Sequence, residues 1–242
     1  MSRPRFYLDQ KLALGARLSL PPGPARHAAR VLRLAVGDTV RLFNGGGGEF
    51  DARIEYLSKD EVAVSVTGFD DRECESPLDV MLAQGISSGE RMDYTLQKAV
   101  ELGIGAIQPI AAKRSVVKLA GDRADKRVAH WQGVVQAACE QSGRNRVPPV
   151  SQPVSLASWL GQLPGGRLLF LSPLAQTRLA DLPRPEGLQI LVAGPEGGFE
   201  PDEIAALTTA EAVAVRLGPR VLRTETAAVA ALAAMQALWG DF

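Results

Sequence analysis

The chain has 242 residues, with 27 Lys and Arg against 27 Asp and Glu, 46% hydrophobic and 22% charged, so its formal net charge is zero. That balance fits one large folded domain or two modest ones and excludes disordered, collagen-like and disulfide-scaffold classes. Two cysteines without a CxxC spacing and two histidines leave little material for a metal site, and no apolar run approaches the ~20 residues of a membrane span, so neither metal nor membrane is expected.

In chain order the charge is uneven. Residues 1–41 hold eight basic and two acidic side chains, residues 42–75 three and nine, and residues 113–146 eight and three. Two positive segments are thus hidden in a neutral average, and a phosphate-binding face requires local charge only. Of the 27 basic residues 21 are Arg, the better fork for phosphate and the better base-stacking cation. The start, MSRPRFYLDQ, is polar and basic, which predicts a reduced, cytoplasmic setting.

Up to about residue 72 the pattern is short strands and turns. Val40–Phe43 alternates, Asn44 and four glycines turn, and Phe50–Tyr56 alternates again, which predicts a hairpin. The glycine run is read as that turn and not as a phosphate loop, because no Lys-Ser/Thr follows it. Glu61–Val66 adds a strand, and one helix is predicted around His27 to Leu32. A small β-barrel of about 70 residues results, with a linker at Asp70–Glu73.

From Leu78 strands alternate with helices, the signature of a mostly parallel α/β sheet covered on both faces. Val80–Ala83 is a strand, and Ser87 with Glu90 predicts a capping box opening a helix. Strands follow at Ala106–Ile110, Leu168–Leu171, Gln189–Ala193 and Val213–Leu217. One helix is predicted through Ala124–Ala138, and the last runs from an N-cap at Thr224 to Trp239.

In such sheets ligands sit in the loops beyond the C-terminal strand ends. Three loops stand out: Leu171-Ser172-Pro173, Gly194-Pro195-Glu196-Gly197-Gly198, and Leu217–Thr226. The second lacks the lysine of a P-loop and the spacing of a dinucleotide loop. It offers close backbone approach and exposed main-chain groups, which suit the edge of an adenine; a plain tight turn is the alternative. The third puts Arg220 and Arg223 beside a helix N-terminus, against the helix dipole, which calls for an anion or for a salt bridge to Glu225 or Glu196.

Glu140-Gln141-Ser142-Gly143-Arg144-Asn145-Arg146-Val147-Pro148, the Gly194–Gly198 loop and Leu217-Gly218-Pro219-Arg220-Val221-Leu222-Arg223-Thr224-Glu225-Thr226-Ala227 resemble the ribosomal RNA small subunit methyltransferase E family. Val31-Leu32-Arg33-Leu34, Gly37-Asp38, Gln97-Lys98 and Glu101-Leu102-Gly103 carry the same resemblance, which covers essentially the whole chain.

The resemblance implies a SPOUT-class enzyme that uses S-adenosylmethionine to methylate N3 of one uridine in the decoding region of 16S ribosomal RNA, free or in the small ribosomal subunit. It implies a PUA-like RNA-binding β-barrel over residues 1–72, a SPOUT α/β domain with a deep trefoil knot over 73–242, and a homodimer. The cofactor would lie against Leu171, Ser172, Pro173, Gly194, Pro195, Glu196, Gly197, Gly198, Leu217, Gly218, Arg220, Val221, Leu222, Thr224 and Thr226. Uracil N3 carries a proton, so a base or an anion-stabilising group is needed. Arg144 and Arg223 are the candidates for holding the uracil or its phosphates, and Glu196 for the base; His130 is read as structural. Arg30, Arg33, Lys113, Arg114 and Arg146 would grip the RNA backbone. Two other readings stay open: a non-catalytic RNA-binding assembly factor on the same scaffold, and a SPOUT methyltransferase with another RNA target.

Overall fold

The protein, seen here as a computed structural model, is described over residues 3–59, 61–117 and 121–242. It divides into two compact units, one of Met1–Glu75 with Cys139–Val147 and the other of Ser76–Ala138 with Pro148–Phe242.

In the first unit β1 (Arg5–Tyr7) and β2 (Arg17–Ser19) precede α1 (Pro22–Arg26), which continues into a single π-helical turn at His27–Val31. Three longer strands follow: β3 (Thr39–Phe43), β4 (Glu49–Leu57) and β5 (Val62–Asp70). They form a five-stranded sheet in the order β1-β3-β4-β5-β2, parallel at β1/β3 and antiparallel elsewhere. The alternation works as expected: Val40, Leu42, Ala52, Ile54, Val62, Val64 and Val66 turn inward with Phe6 and Leu8 to make one core. The expected hairpin is β3–β4, where the Asn44 side chain accepts from the Gly46 N–H.

Two expectations change. The helix begins at Pro22 and not near His27, because proline at the first position has no N–H to orphan. β5 runs to Asp70, which shortens the linker. Strands β1 and β2, of three residues each, are too short to show a period.

The second unit runs β6 (Val80–Gly85), α2 (Gly89–Glu101), β7 (Ala106–Ala111), α3 (Asp122–Ser142), β8 (Val154–Ser155), α4 (Leu156–Leu160), β9 (Arg167–Leu171), β10 (Gln189–Ala193), α5 (Pro201–Thr209), β11 (Val213–Val215) and α6 (Thr224–Trp239). The last residues of α3 fall in the first unit. Its six strands are all parallel, in the order β11-β9-β10-β6-β7-β8. Every residue of β10 is buried, as a central strand covered on both faces requires. The chain builds outward from β6 to β8, then returns on the other side of it. The order therefore reverses beside β10, and that switch point is where such sheets bind ligands.

Helix starts depart from the sequence reading in an informative way. The N-cap of α2 is Ser88 and not Ser87, and its hydroxyl does not cap the helix. Thr224 is the first residue of α6, with Arg223 at the N-cap and no side-chain cap. Both hydroxyls are used elsewhere, as described next.

Candidate functional site

The loops that leave β9, β10 and β11 converge on one cavity of about 710 Å³, within the ~300–1,000 Å³ of small-molecule pockets. Its lining includes Leu171, Ser172 and Pro173, the whole Gly194–Gly198 loop, and Leu217, Gly218, Arg220, Val221, Leu222, Arg223 and Thr224. Thr226 is exposed and is not among the lining residues. Phe170, Ala193, Phe199, Ile204, Val215 and Ala227 supply apolar surface.

A polar network ties the loop after β10 and the end of the loop after β11 to the end of β6. The Thr224 hydroxyl donates to the Gly194 carbonyl oxygen at 2.6 Å and accepts from Gln84 Nε2 at 3.1 Å, and the same Nε2 donates to the Gly85 carbonyl oxygen. Gln84 is fully buried, so this small network joins the ends of β6 and β10 to the start of α6 without solvent. Gly85 is required by close approach: a Cβ there would stand 2.4 Å from Pro195 N and 2.8 Å from Gly194 C. Gly198, at φ 69°, occupies the left-handed region that closes the loop.

Glu196 is engaged on one oxygen. Its Oε1 accepts from the Ser88 N–H and hydroxyl, each at 2.9 Å, and from Arg91 at 3.2 Å. Burial pushes the carboxyl up, but the bonds from the Ser88 N–H, its own N–H, the Ser88 hydroxyl and Arg91 outweigh it and hold it below the ordinary carboxylate value. Arg91 also lies 3.9 Å from Glu225. Oε2 of Glu196 and Oε2 of Glu225 are each buried with no hydrogen-bond partner among the described residues.

The arginines sort by partner. Arg114 lines the cavity, yet its guanidinium is bound to both oxygens of Glu200 and to the Gly197 carbonyl; Lys113 pairs with Asp202. Hydrogen bonding to Asp202 raises the Lys113 pKa, and the same bond lowers that of Asp202. Arg220 and Arg223 line the cavity, are exposed and form no ion pair with any described residue, so the salt bridges weighed from sequence are made by Arg91 instead. Arg216, absent from the sequence reading, is also on the wall, with its Nε buried and without a hydrogen-bond partner among the described residues.

Arg144 belongs to the first unit and is not a lining residue. It is 5% exposed and gives two bonds to Glu75 Oε2, while Glu75 Oε1 takes the Asn145 and Arg146 N–H groups. Arg146 is exposed. Arg30 and Arg33 are exposed at the end of the π-helical turn, Arg33 in the left-handed region at φ 53°. His130 pairs with Asp93 at 2.7 Å, as a structural histidine does.

Sequence reasoning missed Gln84, Gly85, Ser88 and Arg91, which act through partners far along the chain. The one signal available was that Gly85 ends a strand, where a backbone is closely approached.

An RNA methyltransferase domain model matches residues 74–236, and an RNA methyltransferase PUA domain model matches residues 25–67. The ribosomal RNA small subunit methyltransferase E of Mycobacterium bovis is 36% identical over 241 residues, 96% of this chain and 91% of that protein. The Bacillus subtilis protein of the same name is 31% identical, over 96% and 95%. A crystal structure of a ribosomal RNA small subunit methyltransferase E from Neisseria gonorrhoeae, bound to S-adenosyl methionine, is 44% identical and covers all of both chains with a TM-score of 0.93. A putative methyltransferase from Legionella pneumophila, in complex with the same cofactor, is 38% identical with a TM-score of 0.97.

Proposed function

The chain belongs to the ribosomal RNA small subunit methyltransferase E family, and on that premise we propose that it transfers a methyl group from S-adenosylmethionine to N3 of one uridine in the decoding region of 16S ribosomal RNA. The observation that carries this reading is the convergence of the β9, β10 and β11 loops on one cavity. The residues present fit the cofactor. The Gly194–Gly198 main chain offers donors and acceptors to the adenine edge, and the wall carries both acidic side chains, Glu196 and Glu225, and basic ones, Arg220 and Arg223, to meet the two charge types of an amino acid.

When bound, the cofactor supplies an electrophilic methyl group on a sulfonium. The protein then has to position the uracil in line and to lower the cost of an N3 anion. Arg223 and Arg220, which line the cavity without an ion pair among the described residues, stabilise the negative charge that spreads onto the uracil oxygens as the proton leaves; one such donor contributes about 100- to 1,000-fold. Glu196 holds the loop and keeps its charge, and a carboxylate held below its ordinary value is a poor base. Arg144, tied to Glu75, shapes the 144–146 turn. The uridine must leave its stack to be reached.

RNA backbone contacts are assigned to Arg30 and Arg33, and to Arg146, whereas Lys113 and Arg114 spend their charge on α5. The homodimer and knotted threading implied by the resemblance belong to the same reading. So does a cytoplasmic location, since ribosomal RNA is the target; among the described residues no helix is long and apolar enough to cross a membrane.

The test is methyl transfer from labelled cofactor to small ribosomal subunits isolated from a strain lacking the enzyme, followed by mass mapping of the 16S RNA. Incorporation at N3 of a single uridine is expected. Incorporation elsewhere would favour another RNA target, and cofactor-independent RNA binding without transfer would favour an assembly factor.

A further inference from the structure

The fold sorts the positive charge of residues 113–146 into spent and unspent. Of the eight cations there, Lys113 and Arg114 are paired with Asp202 and Glu200, and Arg144 with Glu75. Among the described residues that leaves Arg146 in the first unit and Arg123, Lys126 and Arg127 in the second-unit part of α3. The side chains of these three form no ion pair with any described residue. Arg123 and Lys126 are exposed and Arg127 is half-buried. With His130 they stand at i, i+3, i+4 and i+7, so they share one face over about 10 Å of helix. Trp131, Val135 and Ala138 are buried, which turns that face outward.

The nearby acids do not cancel the stripe. Asp125 accepts from Gln152, and Asp93 of α2 is bonded to His130. Asp122, in the first turn, answers the helix dipole and forms no ion pair with Lys126. A solvated helix face is stabilised by opposite charges three or four residues apart. Here Arg123 repels both Lys126 and Arg127, and it opposes the dipole as well. A polyanion relieves that repulsion.

Resting on the RNA methyltransferase reading above, we infer that the Arg123–Lys126–Arg127 face of α3 is a docking surface for the phosphate backbone of the RNA. None of the three lines the cavity, so the surface is separate from the cofactor site. Two guanidiniums fork phosphate oxygens, and the lysine adds a point charge. One turn further, Gly133 is exposed, and a Cβ there would meet nothing within 4 Å, so a strand can lie close along the helix. Such contacts set position and carry no sequence information.

The test is the salt dependence of binding of the full chain to a fluorescein-labelled 16S ribosomal RNA transcript. Each lost phosphate contact lowers the log–log slope by about 0.7–0.9. The triple variant Arg123→Gln, Lys126→Gln, Arg127→Gln should therefore lose about 2 in slope. That is about 100-fold in affinity at ~0.1 M salt, vanishing toward ~1 M. Its melting temperature and its affinity for S-adenosylmethionine should not move. Arg123→Lys with Arg127→Lys should keep the slope, and Gly133→Lys should steepen it by about one contact. An unchanged slope in the triple variant, or a loss that is the same at all salt concentrations, would overturn the phosphate assignment. So would a loss seen on assembled small subunits and not on free RNA, which would place a ribosomal protein on this face. Failure of the wild type to bind or methylate the RNA at all would instead remove the reading beneath it.

Discussion

The Thr224 hydroxyl and the Gly194 carbonyl oxygen are 30 residues apart in sequence and 2.6 Å apart in space. A residue that reads as a helix cap is instead a pin between two loops. Its Oγ1 is at once donor to one backbone and acceptor for the buried Gln84 amide.

Thr224→Val keeps the shape and deletes both bonds. The half-buried Gly194 carbonyl then loses this donor and the buried Gln84 amide keeps only the Gly85 carbonyl, so stability should fall by ~1–3 kcal/mol in a denaturant melt. Cofactor affinity should fall with it, because the Gly194 loop loses its tether. A variant as stable as the parent would show that the pin contributes nothing.

Arg223→Ala should separate function from stability. The side chain is exposed and has no ion pair among the described residues, so unfolding should change by less than ~0.5 kcal/mol. Methyl transfer should drop about 100-fold in kcat, and Arg223→Lys should recover part of it by restoring charge without the fork. A loss in stability as large as the loss in activity would return Arg223 to a structural role.

Glu140 links pH to stability. Burial pushes its carboxyl above the ordinary value, against the opposing pull of the Tyr7 N–H bond. A raised carboxyl binds its proton more tightly when folded, so its contribution is full in acid and is lost as pH rises through the folded pKa. Glu140→Gln keeps an acceptor for Tyr7 and has no charge to bury. It should therefore melt higher than wild type at pH 7, with the difference shrinking toward pH 4. A constant difference across that range would refute the linkage.

The two cysteines should differ sharply in reactivity. Burial pushes the Cys139 thiol up to about 12, whereas Cys74 is exposed. Native protein treated with iodoacetamide at pH 8 should be alkylated at Cys74 alone, as mass mapping can read, and Cys139 should react only after unfolding. Equal labelling of both would contradict the packing around Cys139.

The alternating strands, the parallel sheet and the three cavity loops were legible because each rests on a local period or a turn residue. Gln189–Ala193 appears where the sequence puts it. The bracing was not legible. Ser88 holds Glu196 across 108 residues and Gln84 holds Thr224 across 140, and no local pattern encodes such pairs. Arg144 shows the same limit: its composition suggests an RNA contact, and only the fold reveals Glu75 beside it. Lys113 and Arg114 count as positive charge in a window of sequence, but Asp202 in α5 and Glu200 at its N-cap lie against them.

The segment Cys139–Val147 is folded into the first unit although the chain on either side of it belongs to the second. Within that unit Arg5 donates to the Arg144 carbonyl and to the Asn145 side chain, Tyr7 donates to Glu140, and Glu75 is clamped on Arg144. A gene fragment ending at residue 75 would encode a sheet stripped of these partners. The first unit is therefore not a transplantable module: grafting it elsewhere would mean moving two separate stretches of sequence together.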